Sequence, residues 1–380
     1  MGFFAFVGTT LALLHAYLWR RLVRDAQPPR RVRRWMTGTL AVLPPMMVAS
    51  WILVMRQPTT ALRMASTTLF VWLGAAFYLL LVLVVADLVR AGSWLARLRR
   101  RDRRPVDPRR RLFLARAVAG AAAGVATAAA AWGVRAAFED AELTEVRVPI
   151  DGLPGRMSGL TIVQLSDLHV GPTLGGRFVE RLVERANALR PDVIALTGDL
   201  VDGSVAHLGA TMAPLARLRA RLGVFAVTGN HEYYSGADEW VRALRAAGIR
   251  VLRNQSARLD GGLELVGVDD WSAAPQGFGH GWDLDAALRG RDPSLPAVLL
   301  AHQPRGIEQA MARDVALQLS GHTHGGQIWP FGALVALTQP FLVGLHPVGG
   351  GHIFVTRGAG FWGPPMRIPF PPEIARIELV

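Results

Sequence analysis

The chain has 380 residues, 51% of them hydrophobic, a formal net charge of +13 and no cysteine. That length holds a membrane region plus one sizeable globular domain, and the lack of cysteine excludes disulfides, zinc–thiolate sites and thiol nucleophiles. The charge is unevenly placed: residues 1–135 carry 21 Arg against 4 acidic residues, a net of +17, whereas the remaining 245 residues net −4, so the C-terminal part offers no basic groove for nucleic acid.

Four apolar runs open the chain: Phe3–Trp19, Met36–Met55, Thr67–Val89 and Leu112–Trp132. Crossing the hydrocarbon core takes about 20 mostly apolar residues, so residues 1–135 predict an all-α transmembrane region of about four helices. Pro44-Pro45 predicts a kink or break in the second run. The fourth run is Ala-rich and places Gly120 and Gly124 at GxxxG spacing, which permits close helix approach or is small-residue filler. The runs show no paired polar residues that would mark a transport pathway.

Seven arginines, Arg20 to Arg34, separate the first and second runs, and ten, Arg90 to Arg111, separate the third and fourth; Arg56 and Arg63 alone lie between the second and third. Arginine-rich loops stay in the cytoplasm, which predicts a multi-pass plasma-membrane protein whose C-terminal domain is extracytoplasmic. "RRLFL" (110–114) ahead of the fourth run reads either as an internal twin-arginine export signal or as the cytoplasmic anchor of an ordinary span.

After a linker over 136–144 the character changes. Over 145–380, short β-rich runs alternate with helical patterns: "LTIVQL" (160–165), "DVIALT" (192–197), "VFAVT" (224–228), "AVLLA" (297–301) and "VALQLS" (315–320), with helices over 177–189 and 237–247. This predicts a layered α/β domain with buried strands. Each strand runs straight into polar residues: "SDLHVG" with Asp167 and His169, "TGDLVDG" with Asp199 and Asp202, "TGNHEYY" with Asn230 and His231, "AHQP" with His302, and "SGHTHGG" with His322 and His324. Sites in α/β sheets gather beyond the carboxyl ends of strands. One such stretch is a common turn; five in succession point to a metal site.

These residues resemble the D-x-H, G-D, G-N-H, H and G-H-x-H signature of the calcineurin-like metallophosphoesterase superfamily. "LTGDLVDG", "LAHQP", "LQLSGHTHGGQI" and "PPEIARIELV" resemble its membrane-associated bacterial branch. The resemblance implies a β-sandwich of two mixed sheets flanked by helices and a centre of two divalent ions. Asp167, His169 and His324 would hold one ion, Asn230, His302 and His322 the other, and Asp199 would bridge them. Mixed carboxylate, amide and imidazole ligands suit Mn, Fe, Co or Zn, with Mn the first expectation.

Such a centre hydrolyses phosphoesters through a metal-activated hydroxide, with no protein nucleophile. His231 would protonate the leaving oxygen. Asp202 would orient His231, or is a turn aspartate. Glu232 is not expected to be a ligand. Tyr233, Tyr234, Trp271 and "GFWGPP" (360–365) read as core or loop anchors outside the site. Expected partners are phosphoesters of envelope or lipid-linked molecules and membrane lipids. The alternative function is a catalytically silent membrane-anchored metal-binding or sensor module.

Overall fold

A computed structural model of the protein describes residues 2–57, 59–101 and 107–380. Arg103 and Arg104, part of the basic run before the fourth helix, lie outside the described residues. The chain forms two compact units: Met1–Arg135 with Gly363–Met366, and Ala136–Trp362 with Arg367–Val380.

The first unit is built on α1 (Gly2–Trp19), α2 (Arg30–Arg56), α3 (Thr60–Arg99) and α4 (Pro108–Phe138). Among the described residues, α2, α3 and α4 are long and apolar enough to cross a membrane. At 18 residues, α1 is shorter than the usual span, and one π-helical segment, Arg20–Asp25, prolongs it. Contrary to the expected break, α2 runs unbroken through Pro44 and Pro45. Packing supports it there: Leu43, Met47 and Val48 of α2 meet Val7 and Leu11 of α1 and Leu69 of α3, and such neighbours make proline tolerable in apolar helices. At Gly120 and Gly124 an added Cβ would meet nothing within 4 Å, so no close helix approach is made there.

The helices do carry paired polar groups, against the sequence expectation. Tyr17 Oη donates to Asp87 Oδ2 at 2.8 Å, Arg21 lies 3.2 Å from Asp87, and Trp72 Nε1 donates to His15 at 3.0 Å. Each joins α1 or its extension to α3. Their sequence separation hid them.

The second unit contains, in chain order, β1 (Glu142–Val148), β2 (Thr161–Leu165), α5 (Gly176–Ala188), β3 (Val193–Leu196), α6 (Val205–Met212), β4 (Gly223–Ala226), α7 (Asn230–Ser235), α8 (Ala237–Ala246), β5 (Arg250–Val251), β6 (Gln255–Leu259), β7 (Leu263–Gly267), α9 (Leu284–Ala287), β8 (Ala297–Leu300), α10 (Ile307–Met311), β9 (Val315–Ser320), α11 (Gly332–Val335), β10 (Gly344–Val348), β11 (Gly351–Val355) and β12 (Glu373–Leu379). They form two mixed six-stranded sheets, β1-β12-β2-β3-β4-β5 and β10-β11-β9-β8-β7-β6.

Strand alternation divides the apolar residues between layers. Val193 and Ala195 of β3 join Leu265, Val298, Leu300, Leu317 and Leu319 between the sheets. Ile194 and Leu196 face outward onto α5 and α8. Those helices present stripes at matching spacing, Val179, Leu182, Val183 and Ala186 in α5 and Ala237, Trp240, Val241 and Leu244 in α8. Over the other sheet, Val266, Leu299 and Val315 pack with Leu284, Ala287 and Ala310. Parallel pairing of β2, β3 and β4, and of β7, β8 and β9, points their carboxyl ends the same way within each sheet.

Candidate metal centre

Backbone pairing continues past the strands and fixes the loops. Asp167 N–H donates to Gly198 O at 3.0 Å, His169 N–H to Asp199 O at 3.1 Å, and Gly321 N–H to His302 O at 2.9 Å. Beneath them, Gln164 Nε2 donates to Thr197 Oγ1 and to Ser320 O, joining the two sheets. Five candidate ligands then adopt positive φ: Asp167 at 54°, His169 at 45°, Asp199 at 53°, His322 at 70° and His324 at 52°. The left-handed region costs a non-glycine residue about 1–2 kcal/mol and is concentrated at functional sites. That backbone turns His322 and His324 apart, so one short loop serves two neighbouring groups.

Asp167, His169 and His324 bring one ligand atom each to within 4.8 Å of one another, and so do Asp199, His302 and His322. Between the groups stands Asp199 Oδ2, 3.1 Å from His302 Nε2, 3.7 Å from His169 Nε2 and 3.9 Å from His231 Nε2. His169 Nε2 faces His324 Nε2 at 3.1 Å, and His302 Nε2 faces His322 Nδ1 at 3.2 Å. Two ring nitrogens that close must share a proton or a cation. Asn230 Oδ1 is buried with no hydrogen-bond partner, a costly state unless something positive meets it. The donor set fits divalent metal.

Electrostatics agree. Burial raises the pKa of Asp167. Burial also opposes ionisation of Asp199, but His302 and His231 overcome it and hold the carboxyl well below its usual range. Burial, then neighbouring His302, pushes His322 down to about 3. Burial, then His169 and Arg367, drives His324 down as well. These two imidazoles stay neutral, as metal ligands must. For His302 burial is outweighed by Asp199, and its pKa rises well above normal. Its Nδ1 is set by Thr197 O at 2.8 Å, so the proton it gains stands at Nε2, where a cation would otherwise sit.

The calcineurin-like phosphoesterase family pattern matches residues 160–326. A Danio rerio transmembrane protein with metallophosphoesterase domain is 34% identical over 394 residues, covering 99% of this chain and 89% of the relative. Its Bos taurus counterpart is 35% identical, covering 98% and 88%. A Helicobacter pylori uncharacterized metallophosphoesterase is 42% identical over 224 residues, 58% of this chain and 60% of that one. The chain belongs to the calcineurin-like metallophosphoesterases. It is a metal-dependent phosphoesterase and a membrane protein.

In this phosphoesterase, Asp202 lies beside two histidines. His231 Nδ1 is 2.6 Å from Asp202 Oδ1, and His169 Nδ1 is 3.1 Å from the same oxygen. Burial works against the Asp202 charge, but His169 and then His231 hold its pKa far below normal. Burial lowers the His231 pKa, yet Asp199, Asp202 and Glu232 lift it to about 9. His231 also stands within ligand distance of His169 and Asp199.

Four contributors were missed or set aside in the sequence. Glu232 is buried and accepts from the N–H groups of Asp199 at 2.9 Å, Leu200 at 2.7 Å and Gly229 at 2.6 Å. Arg367, fully buried, donates to the carbonyls of Arg357, Gly358 and Gly360 and lies 3.3 Å from His324 Nδ1. An arginine inside the apolar "PPMRIPF" was the available signal. Tyr234 and Trp362, read as anchors, place their rings 5.4 and 6.0 Å from His231. Tyr233 and Trp271 pack elsewhere, against Ala273 and Trp282.

Proposed function

We propose that this phosphoesterase hydrolyses phosphomonoester, phosphodiester or pyrophosphate bonds of envelope or lipid-linked molecules at a two-ion centre, with manganese the expected metal. Asp167, His169 and His324 would hold one ion and Asn230, His302 and His322 the other. The observation that carries this reading is Asp199, whose Oδ2 lies between the two ligand groups, in reach of histidines from each. When bound, two dications neutralise phosphoryl oxygens and lower the pKa of water from about 15.7 towards neutrality.

The protein's own groups do the rest. Asp202 accepts the hydrogen bond from His231 Nδ1–H, which favours the imidazolium and leaves Nε2 aimed at the centre with a proton for the departing oxygen. Asp202 also accepts from His169 Nδ1, turning its Nε2 towards the metal. The arginine-rich loops favour a plasma-membrane location with the second unit extracytoplasmic. Arg110 and Arg111, in the first turn of α4, suit either a twin-arginine signal or an anchor.

The test uses the full-length protein in detergent, loaded with manganese and assayed on aryl phosphomonoesters and phosphodiesters beside Asp199→Asn. The expected outcome is turnover by the parent, with loss of metal and activity in the variant. Metal-loaded parent that turns over no ester would leave the silent metal-binding module as the reading.

A further inference from the structure

The rim of the metal centre is apolar, and we propose that it is a bilayer-docking surface, which would present lipid-borne phosphoesters to His231. The docking stands on its own observations; only its use in presenting substrate rests on the hydrolase reading above.

Two rings border His231, Tyr234 and Trp362, and they are 54% and 50% exposed. The Tyr234 ring leads to Phe278, 6.1 Å away and 39% exposed. From Trp362 the rim continues through Gln327, whose Nε2 donates to Trp362 O at 2.9 Å and whose Oε1 accepts from Trp362 N at 3.0 Å. Past Gln327 the chain enters α11, where Leu334 is 56% exposed, and the turn that follows the helix carries Leu337, 80% exposed. No charged side chain occurs in residues 325–345 or 358–366. Beside Leu337 one ionised group does stand, the Arg305 guanidinium, which donates to Thr338 O at 3.0 Å; an arginine of this kind keeps its charged head in the headgroup layer while its stem lies against apolar surface. Large aromatics with one polar edge are the side chains that settle there.

The chain itself selects a bilayer over a protein partner. Phe361, beside Trp362, packs edge-on against Phe138 at 5.4 Å, and Phe138 is the last residue of the apolar helix α4. Directly after Trp362, residues Gly363–Met366 are grouped with the helical unit. The rim loop thus meets, at Phe361, the residue in which the candidate span α4 ends.

Because the protein has no cysteine, Leu337→Cys accepts a single environment-sensitive fluorophore on the full-length chain. That protein is placed in phosphatidylcholine–phosphatidylglycerol nanodiscs with and without brominated acyl chains, next to Arg219→Cys labelled as a water-facing control. The expected result is blue-shifted emission at position 337 that brominated lipid quenches, with neither effect at 219. Water-like, unquenched emission at 337 overturns the proposal. Blue-shifted emission that lipid does not quench also overturns it, in favour of a second copy or another protein. Leu334→Cys serves as the second position should Leu337→Cys misfold. The readout needs no turnover, so a chain that hydrolyses nothing would remove the hydrolase reading and leave docking standing.

Discussion

Asp202 divides one carboxylate between a candidate ligand, His169, and the candidate proton donor, His231. The two roles separate by substitution. His231→Gln keeps every group of the two ligand sets and removes the ionisable ring, so metal content measured by elemental analysis should hold while kcat falls by about 10²–10⁴. Loss of one ion in that variant would instead make His231 a ligand. Asp202→Asn keeps the shape but can no longer accept from both rings as a carboxylate does. Metal affinity in a competition titration should fall about 10–100-fold, the usual cost of losing such a support. Unchanged affinity would reduce Asp202 to a turn residue.

At the scale of elements, the site depends on loops that cross without room to spare. A Cβ at Gly321 would collide with Asp167 Oδ2 and Ser166 Oγ, and one at Gly229 with Asp199 Oδ1. Gly321→Ala should therefore drive the β9 loop away from the β2 loop and abolish metal binding, while far-ultraviolet circular dichroism stays native. Full metal occupancy in that variant would show the loops to be looser than their spacing indicates. Glu232 works the same junction from below, since three buried N–H groups of the β3 and β4 loops end on one carboxylate. Truncation in Glu232→Ala leaves them without an acceptor, at a cost on the order of 3 kcal/mol, measurable as a lower denaturation midpoint. The strand ends were legible in the sequence because apolar runs stop abruptly at Asp, Asn, Gly and His, a local signal. What was not legible is non-local: β12 inserts between β1 and β2, and Trp362 and Arg367 arrive from a segment some 40 residues past His324. The prolines of α2 do not break it for a reason that is equally non-local, since packing against flanking helices lets a helix continue through them.

The whole molecule joins a helical unit to a unit that carries the entire candidate metal centre, and this makes the effect of metal on stability local. Residues 167 to 324 supply every candidate ligand, from loops of both sheets, so a bound ion would tie the two layers together across their shared edge. At that edge the ring nitrogens of His169 and His324 and of His302 and His322 face each other at 3.1 and 3.2 Å, and the buried Asn230 Oδ1 has no hydrogen-bond partner. Anything bound only to the folded form stabilises it, by about 2.7 kcal/mol at a hundredfold excess over Kd. For a unit of this size that corresponds to a midpoint shift of roughly 5–10 °C. Chelation of the full-length protein should lower the melting transition of the second unit by that amount and leave the transition of the helices in place. Readdition of manganese should restore it. A midpoint indifferent to chelator, in protein shown to be metal-free afterwards, would mean that these side chains hold their positions without an ion between them.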